Sequence, residues 1–149
     1  MEEWGFLLLP FWRAGGWEDI TYRTQIYLTP LSQRPVRLGI YLFENGGKPW
    51  VNKSFKVELD RQVSEAITDA NGMIELRVGP GQTIRIEINA LEHEYGTGEV
   101  HLLDGNEPVP ILARGDLEVF AAESASGFEM SMSAIEITGA RPITLIPGR

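Results

Sequence analysis

Histidine and glutamate side chains cluster in one stretch of the sequence, and both residue types are common metal ligands. His93 and His101 are the only histidines, and glutamates directly precede and follow His93. Zinc-binding helices carry two histidines one helical turn apart, whereas these two are further apart and the chain has no cysteine to assist them. We therefore interpret residues 92–98 as a polar, glycine-containing loop and predict no metal site there.

Three other patterns resemble reactive sites only in part. Asp69 opens a segment that begins like a calcium loop, but Pro80 stands where such a loop needs its final glutamate. Ser124 and Ser126 lack the G-x-S-x-G context of a nucleophilic serine. Pairs of carboxylates are uninformative among 21 acidic residues, because their separation is a property of the fold. We predict no catalytic residue, no cofactor and no enzymatic activity.

Two aromatic residues beside polar segments are candidates for sugar binding. Trp50 follows a proline at the entrance to a strand, and Tyr95 lies in the polar stretch described above. Aromatic rings offer flat apolar faces with polar rims, on which a sugar ring stacks. For Trp50 the other interpretation is a place in the core or in an interface. Carbohydrate binding through Trp50 and Tyr95 is kept as an alternative function.

Composition narrows the class of protein further. The chain has 149 residues, 21 acidic against 13 basic side chains and a net charge of −8, which disfavours binding to nucleic-acid phosphates. The absence of cysteine excludes a disulfide framework and a thiolate nucleophile. The N-terminus starts with two acids after Met1, and Pro10 interrupts its short apolar run. We therefore predict neither a signal peptide nor membrane insertion, and synthesis in the cytoplasm.

Residues 63–88 predict three consecutive strands, the last two of which alternate apolar and charged side chains. This is the period of a strand with one buried face. Asp69, Asn71 and Gly72 predict a tight hairpin between the first two strands, because aspartate accepts backbone N–H bonds and Asn-Gly tolerates positive φ. Pro80, between two glycines, predicts the next turn. We expect the three strands to pair through these turns.

The strand pattern continues along most of the chain, so an all-β fold is predicted. The sequence carries roughly nine to eleven strand-like segments with short connections and no helical period, which is typical of a β-sandwich or a barrel. We expect an extended aromatic arm over residues 1–19, a β-sandwich core over residues 20–103, and additional strands over residues 104–149. The additional strands complete the sandwich or form a small second β-unit. A bulge is expected near Ser133 and Ala134, where the apolar phase switches.

Aromatic residues are concentrated at the N-terminus, where three of the four tryptophans precede residue 20. A segment of this composition needs burial. One interpretation is an edge strand, or a cover over the open end of the chain's own sheet. The other is an arm that docks on a neighbouring subunit. The contacts predicted for that arm are Trp4, Phe6, Leu8, Phe11 and Trp12.

One part of the chain resembles a known family of β-sandwich modules. Residues 47–53 read G-K-P-W-V-N-K, similar to that family's entry into a strand, and residues 68–72 read T-D-A-N-G, similar to its hairpin. The turn at residues 79–81 follows, as it does in the family. On these motifs, residues 37–88 resemble transthyretin-like or carboxypeptidase-regulatory-like modules, which are Ig-like β-sandwiches, and most closely those beside type VI secretion spikes and in phage-tail-like particles. The resemblance implies a docking module or adaptor without catalytic residues.

The function expected on these grounds is structural. The chain would be a non-enzymatic subunit, adaptor or decoration component of a phage or a contractile injection particle. Its partners would be copies of itself or a larger shell, tail or spike protein, and its final location would be the assembled virion or injection apparatus. The alternative is a carbohydrate- or peptidoglycan-binding accessory module.

Overall fold

The computed structural model describes the backbone of residues 3–4, 6–17, 20–103, 107–121 and 132–145, and the side chains of residues 11–16, 20–103, 107–120 and 144–145. All regular structure within these residues is β, so the prediction of an all-β fold is confirmed. The strands are β1 (Glu3–Trp4), β2 (Phe6–Trp17), β3 (Ile20–Pro30), β4 (Val36–Glu44), β5 (Ser54–Leu59), β6 (Gln62–Ile67), β7 (Met73–Val78), β8 (Ile84–Ile88), β9 (Glu94–Leu102), β10 (Val109–Ala121) and β11 (Met132–Leu145).

The strands form one continuous sheet that curls into a nearly closed, barrel-like shape. One half has the strand order β6-β5-β8-β3-β10-β11-β1, and the other has the order β2-β9-β4-β7. Neighbouring strands are antiparallel, except that β1 runs parallel to β11. The strands of the expected arm and of the expected C-terminal addition therefore belong to the same sheet as the central strands.

Strand β2 joins the two halves, because its ends pair with different partners. Residues 6–14 pair with β9, whereas residues 15–17 pair with the start of β3. Where β2 leaves β3, the hydroxyl of Thr24 accepts a hydrogen bond from the Arg13 N–H at 2.8 Å and donates one to the Arg13 carbonyl at 2.7 Å. Gly15 has a φ of +82°, and a Cβ there would lie 2.0 Å from a backbone oxygen, so this bend requires glycine.

The core lies between the two halves and is filled from alternate positions of the strands. Along β4, β7 and β8, the apolar positions that the period of two predicts are buried. Burial of a leucine, isoleucine or phenylalanine side chain contributes about 1.5–3 kcal/mol to folding. The largest fully buried side chains are Trp12, Trp50, Phe55, Leu28, Leu38, Ile40, Leu42, Ile84, Ile86, Ile88, Leu102 and Ile111.

The three strands predicted over residues 63–88 are present as β6, β7 and β8, but the predicted pairing between them is wrong. Instead, β6 pairs with β5, β7 pairs with β4, and β8 pairs with β3 and β5. The turn at Asp69 still forms, since its carboxylate accepts from the Asn71 N–H at 2.8 Å and Gly72 has a φ of +73°. This turn and the one at Pro80 carry the chain between the halves of the sheet.

The pairing of these strands was predicted wrongly because a period of two identifies which face of a strand is buried but not which strand lies beside it. Strand β6 pairs with β5 because the connection between these two strands is very short. Only Asp60 and Arg61 separate them, and both have the positive φ (53° and 66°) of a type I′ turn. Beyond β6, the Thr68 hydroxyl donates to the carbonyl of Trp50 and accepts from the Lys53 N–H. These bonds direct the chain toward β4, beside which β7 then runs.

The polar segment at residues 92–98, predicted as a loop, belongs mostly to β9, which begins at Glu94. Gly96 explains the error. A Cβ at this position would lie 1.7 Å from the carbonyl oxygen of Phe43 in β4, so the glycine permits a close approach between strands and does not form a turn.

The bulge expected near Ser133 and Ala134 lies elsewhere. Both residues are in regular register with β10, opposite Val119 and Glu118. The register shifts occur where β11 passes residues 113–116 of β10. A switch of apolar phase therefore indicates that a strand contains an irregularity, but it does not locate it.

Replacing Gly96 with alanine is expected to lower the free energy of unfolding by about 3 kcal/mol, because the methyl group would push β9 away from β4. Gly16→Ala is the control, since a Cβ there would meet its nearest atom at 3.6 Å, an ordinary contact distance. Urea unfolding followed by tryptophan fluorescence measures both variants. Equal loss of stability in the two would contradict the close approach.

Arg61→Gly is expected to raise the free energy of unfolding by about 1 kcal/mol, because a residue with a Cβ is unfavourable in the left-handed region. Arg61→Ala removes the same long side chain but keeps the Cβ, so no such gain is expected from it. Thermal and urea unfolding distinguish the two variants. A gain of equal size from alanine would show that backbone conformation is not the cause.

Candidate functional site

An aromatic and cationic cleft lies on the outer surface of the sheet, where β2 and β9 run side by side. Arg13 of β2 and Tyr95 of β9 are cross-strand neighbours and face the same side. Trp12 and Ala14 alternate with Arg13 and are buried in the core. The cleft has a volume of about 400 Å³. We call it the Arg13 cleft, and its lining residues are Phe11, Arg13, His93 and Tyr95.

Arg13 is held in the cleft by two contacts. Its Nε donates a hydrogen bond to Nε2 of His93 at 2.6 Å, and its Cζ lies 3.7 Å from the ring centroid of Tyr22 in β3. The second contact is a cation–π interaction. Within the residues that the structure describes, the two Nη groups have no hydrogen-bond acceptor. The guanidinium is thus fixed in place with its outer edge still available.

The imidazole of His93 lies between two tyrosine rings. The ring centroids are 5.4 Å from Tyr22 and 5.6 Å from Tyr95, and the second pair is stacked at 26°. Burial lowers the pKa of His93 below its ordinary value, and the charge of Arg13 lowers it further. Because Nε2 accepts the bond from Arg13, the neutral ring carries its proton on Nδ1.

Tyr95 forms the exposed wall of the cleft, with 42% of its surface open to solvent. Its hydroxyl accepts a hydrogen bond from Asn45 Nδ2 at 2.8 Å, and the Asn45 N–H donates to the Tyr95 carbonyl at 3.0 Å. These bonds position the ring and leave the phenolic proton free to donate. One of the two residues predicted to stack on sugars is therefore placed where a ligand has access.

Trp50, the other predicted stacking residue, is only 1% exposed. Its Nε1 donates to Oε1 of Glu94 at 3.0 Å, and its ring centroid lies 4.9 Å from that of Trp12. A ring enclosed in this way has no open face for a sugar. Beside it lies a second cavity of about 630 Å³, where Lys53 Nζ is 3.8 Å from Glu94. The structure thus separates Trp50 from Tyr95.

Two of the five residues predicted as contacts of an N-terminal arm have described side chains, and these lie in different places. Trp12 is fully buried, and its Nε1 donates to the carbonyl of Thr97 at 2.8 Å. Phe11 is partly buried in the wall of the Arg13 cleft. The side chains of the other three lie outside the described residues: Trp4, Phe6 and Leu8. Their backbones pair with β11 or β9, so this segment is an integral part of the sheet.

Sequence reasoning gave no role in this site to three of its residues: Arg13, Tyr22 and His93. Arg13 and Phe11 flank Trp12 with the spacing of one strand face, which was an available signal. Tyr22 and His93 had none, because the bond between Arg13 and His93 joins positions that are 80 residues apart. Only the fold brings them together.

A second cluster of charged groups on the outer face surrounds Glu87. Glu87 of β8 accepts a hydrogen bond from Asn89 and lies within 3.8 Å of Arg23, Lys56 and Arg85. Burial raises the pKa of Glu87, but the Asn89 bond and the three cations outweigh it, so the pKa lies below its ordinary value. We interpret this cluster as structural.

In the described part of the chain, no three histidine or acidic side chains are grouped closely enough to hold a metal ion. His101 lies 2.9 Å from Glu99 and packs edge-on against Tyr41, apart from the Arg13 cleft. No helix among the described residues is long and apolar enough to cross a bilayer.

No family model matches the chain, and no curated protein or solved structure matches it either. The resemblance of residues 37–88 to transthyretin-like modules therefore stays a prediction. Function has to be argued from the surface and the cleft themselves.

Lowering the pH is expected to destabilise the protein through His93. Its pKa is lower in the folded than in the unfolded chain, so its contribution to stability is complete above the ordinary value of 6.5 and declines as the pH falls below that value. The unfolded chain then binds the proton first, because burial of the ring and, to a smaller extent, the charge of Arg13 disfavour the protonated form in the folded chain.

Urea unfolding between about pH 7.5 and pH 5.5 measures this effect. The His93→Gln variant should lose less stability over this interval than the unmutated protein. Identical pH dependence in the two proteins would contradict the role of His93.

Proposed function

We propose that this protein is a non-enzymatic structural subunit that assembles with copies of itself through β6. The observation that carries this proposal is the reversed pattern of that strand. Ser64 and Ala66 lie opposite the buried residues of β5, so they occupy the inner face. Val63 and Ile67 occupy the outer face and are 56% and 60% exposed. Apolar residues that face outward at the end of a sheet are typical of a covered surface.

The backbone of β6 supports the same proposal. Among the described strands β6 pairs with β5 alone, so no described strand covers the N–H and C=O groups of its other edge. Edge strands of monomers are usually protected by lysine, proline or a bulge, and β6 contains neither lysine nor proline and only one charge, Glu65. Strand β7, at the end of the other half of the sheet, exposes the charged residues Glu75 and Arg77. A second copy paired at β6 would satisfy the backbone groups and cover Val63 and Ile67.

Two further points favour a structural role. Several half-buried charged groups of the outer face, such as Arg85 and Glu58 at 2.8 Å, are engaged with one another, as in a stabilising network. The resemblance of residues 37–88 to modules of secretion spikes and phage-tail-like particles gives the class of assembly. The chain would be made in the cytoplasm and end in such a particle, bound to its own copies or to a larger shell, tail or spike protein.

A second candidate function is carbohydrate binding. With Trp50 enclosed in the core, this function now depends on Tyr95, whose ring is accessible in the Arg13 cleft.

The assembly proposal predicts a mass above the 16.6 kDa monomer in light scattering, and a mass that increases with concentration. The double variant Val63→Lys, Ile67→Lys should be monomeric, because two charges on the outer face of β6 would oppose close pairing. Circular dichroism checks that its fold is unchanged.

Leu31→Lys is the matched control, since Leu31 is similarly exposed but lies between β3 and β4. It should assemble like the unmutated protein. A monomer at all concentrations, or a double variant that assembles normally, would overturn the proposal.

A further inference from the structure

Arg13 is a partly buried arginine with no acidic partner among the described side chains. Arg23 and Arg85 are also partly buried, and each lies within 3.0 Å of a carboxylate oxygen. Arg13 instead donates to the neutral ring of His93, and no carboxylate among the described residues pairs with it. Within the described part of the chain, the charge of Arg13 is therefore available to a ligand.

We propose that the Arg13 cleft binds a sugar that carries a carboxylate, such as a hexuronic acid unit of a glycan. The two Nη groups of Arg13 would donate paired hydrogen bonds to the carboxylate, a geometry that suits the planar guanidinium. The ring of Tyr95 would support an apolar face of the sugar. This proposal deepens the second candidate function, carbohydrate binding, and it is independent of the β6 edge and of assembly.

The cleft is preorganised for such a ligand. Nε of Arg13 is occupied by His93 at 2.6 Å, and the guanidinium lies over Tyr22 at 3.7 Å. Both contacts hold the side chain in one orientation and direct the Nη edge away from them. Little rotational freedom of this long side chain would then be lost when the carboxylate binds.

The remaining groups of the cleft favour a sugar over a simple anion. Phe11 and Tyr95 provide apolar surface, while the Tyr95 hydroxyl and the Asn45 amide, 2.8 Å apart, form a polar rim that matches sugar hydroxyls. The volume of about 400 Å³ falls in the usual range of small-molecule sites. The apolar faces, the polar rim and the single cation of the cleft together complement an acidic sugar.

Calorimetric titration with three probes tests the ligand class. The probes are an oligosaccharide of alternating glucuronic acid and N-acetylglucosamine, a neutral N-acetylglucosamine oligosaccharide of equal length, and benzoate. We expect the acidic oligosaccharide to bind at least about tenfold more tightly than either of the others. Equal affinity for the neutral oligosaccharide, equal affinity for benzoate, or no binding of the acidic one would overturn the proposal.

Variants of Arg13 and Tyr95 test whether these two residues bind the acidic oligosaccharide. Arg13→Lys keeps the charge but loses the planar pair of donors, and Tyr95→Ala removes the stacking face, so each should weaken binding of the acidic oligosaccharide by about tenfold or more. The controls are Arg114→Lys, from an arginine over Tyr27, and Tyr41→Ala, from a tyrosine against a histidine.

Both controls should bind like the unmutated protein. Unchanged affinity in the Arg13 and Tyr95 variants, or equal losses in the controls, would refute the assignment. If Arg13→Lys fails to fold by circular dichroism, Tyr95→Ala and the comparison of the three probes still decide the question.

Discussion

The hydroxyl of Thr24 takes the place of main-chain pairing where β2 leaves β3, and the curled sheet depends on that replacement. Thr24 is fully buried, and without it the N–H and C=O of Arg13 would face an interior with no partner. A buried polar group in that state costs about 1–3 kcal/mol. The same bend turns the Arg13 side chain toward Tyr22 and His93. One threonine thus links the closing of the fold to the shape of the cleft.

The existence of the strands was predictable from sequence, but their neighbours were not. A half-buried strand is predicted by the spacing of Ile74, Leu76 and Val78 alone, and all three are buried in the structure. Which strand lies beside them depends on connection lengths and on single anchoring bonds such as that of Thr68. Glycine was ambiguous for a similar reason. Gly72 forms a turn, whereas Gly96 allows two strands to approach closely, and the sequence alone does not distinguish these two roles of glycine.

The candidate site was predictable only in part. Trp50 and Tyr95 are both aromatic residues beside polar segments, but one is enclosed and the other open, because burial depends on which side of the sheet a position faces. The guanidinium of Arg13 acquires its properties from His93 and Tyr22, which lie on other strands or connections. Chemistry that arises from distant segments leaves no local signature, whereas turn chemistry such as that of Asp69 does.

The pairing of the first strands with much later ones has a consequence for synthesis on the ribosome. The indole of Trp12 donates to a carbonyl 85 positions further along the chain, and the backbone of Trp4 pairs with Leu145. The apolar N-terminal segment therefore emerges long before the strands that cover it exist. Until those strands are synthesised, the nascent chain exposes an aromatic, aggregation-prone segment. The yield of folded protein should therefore depend on chaperones that bind such segments during translation.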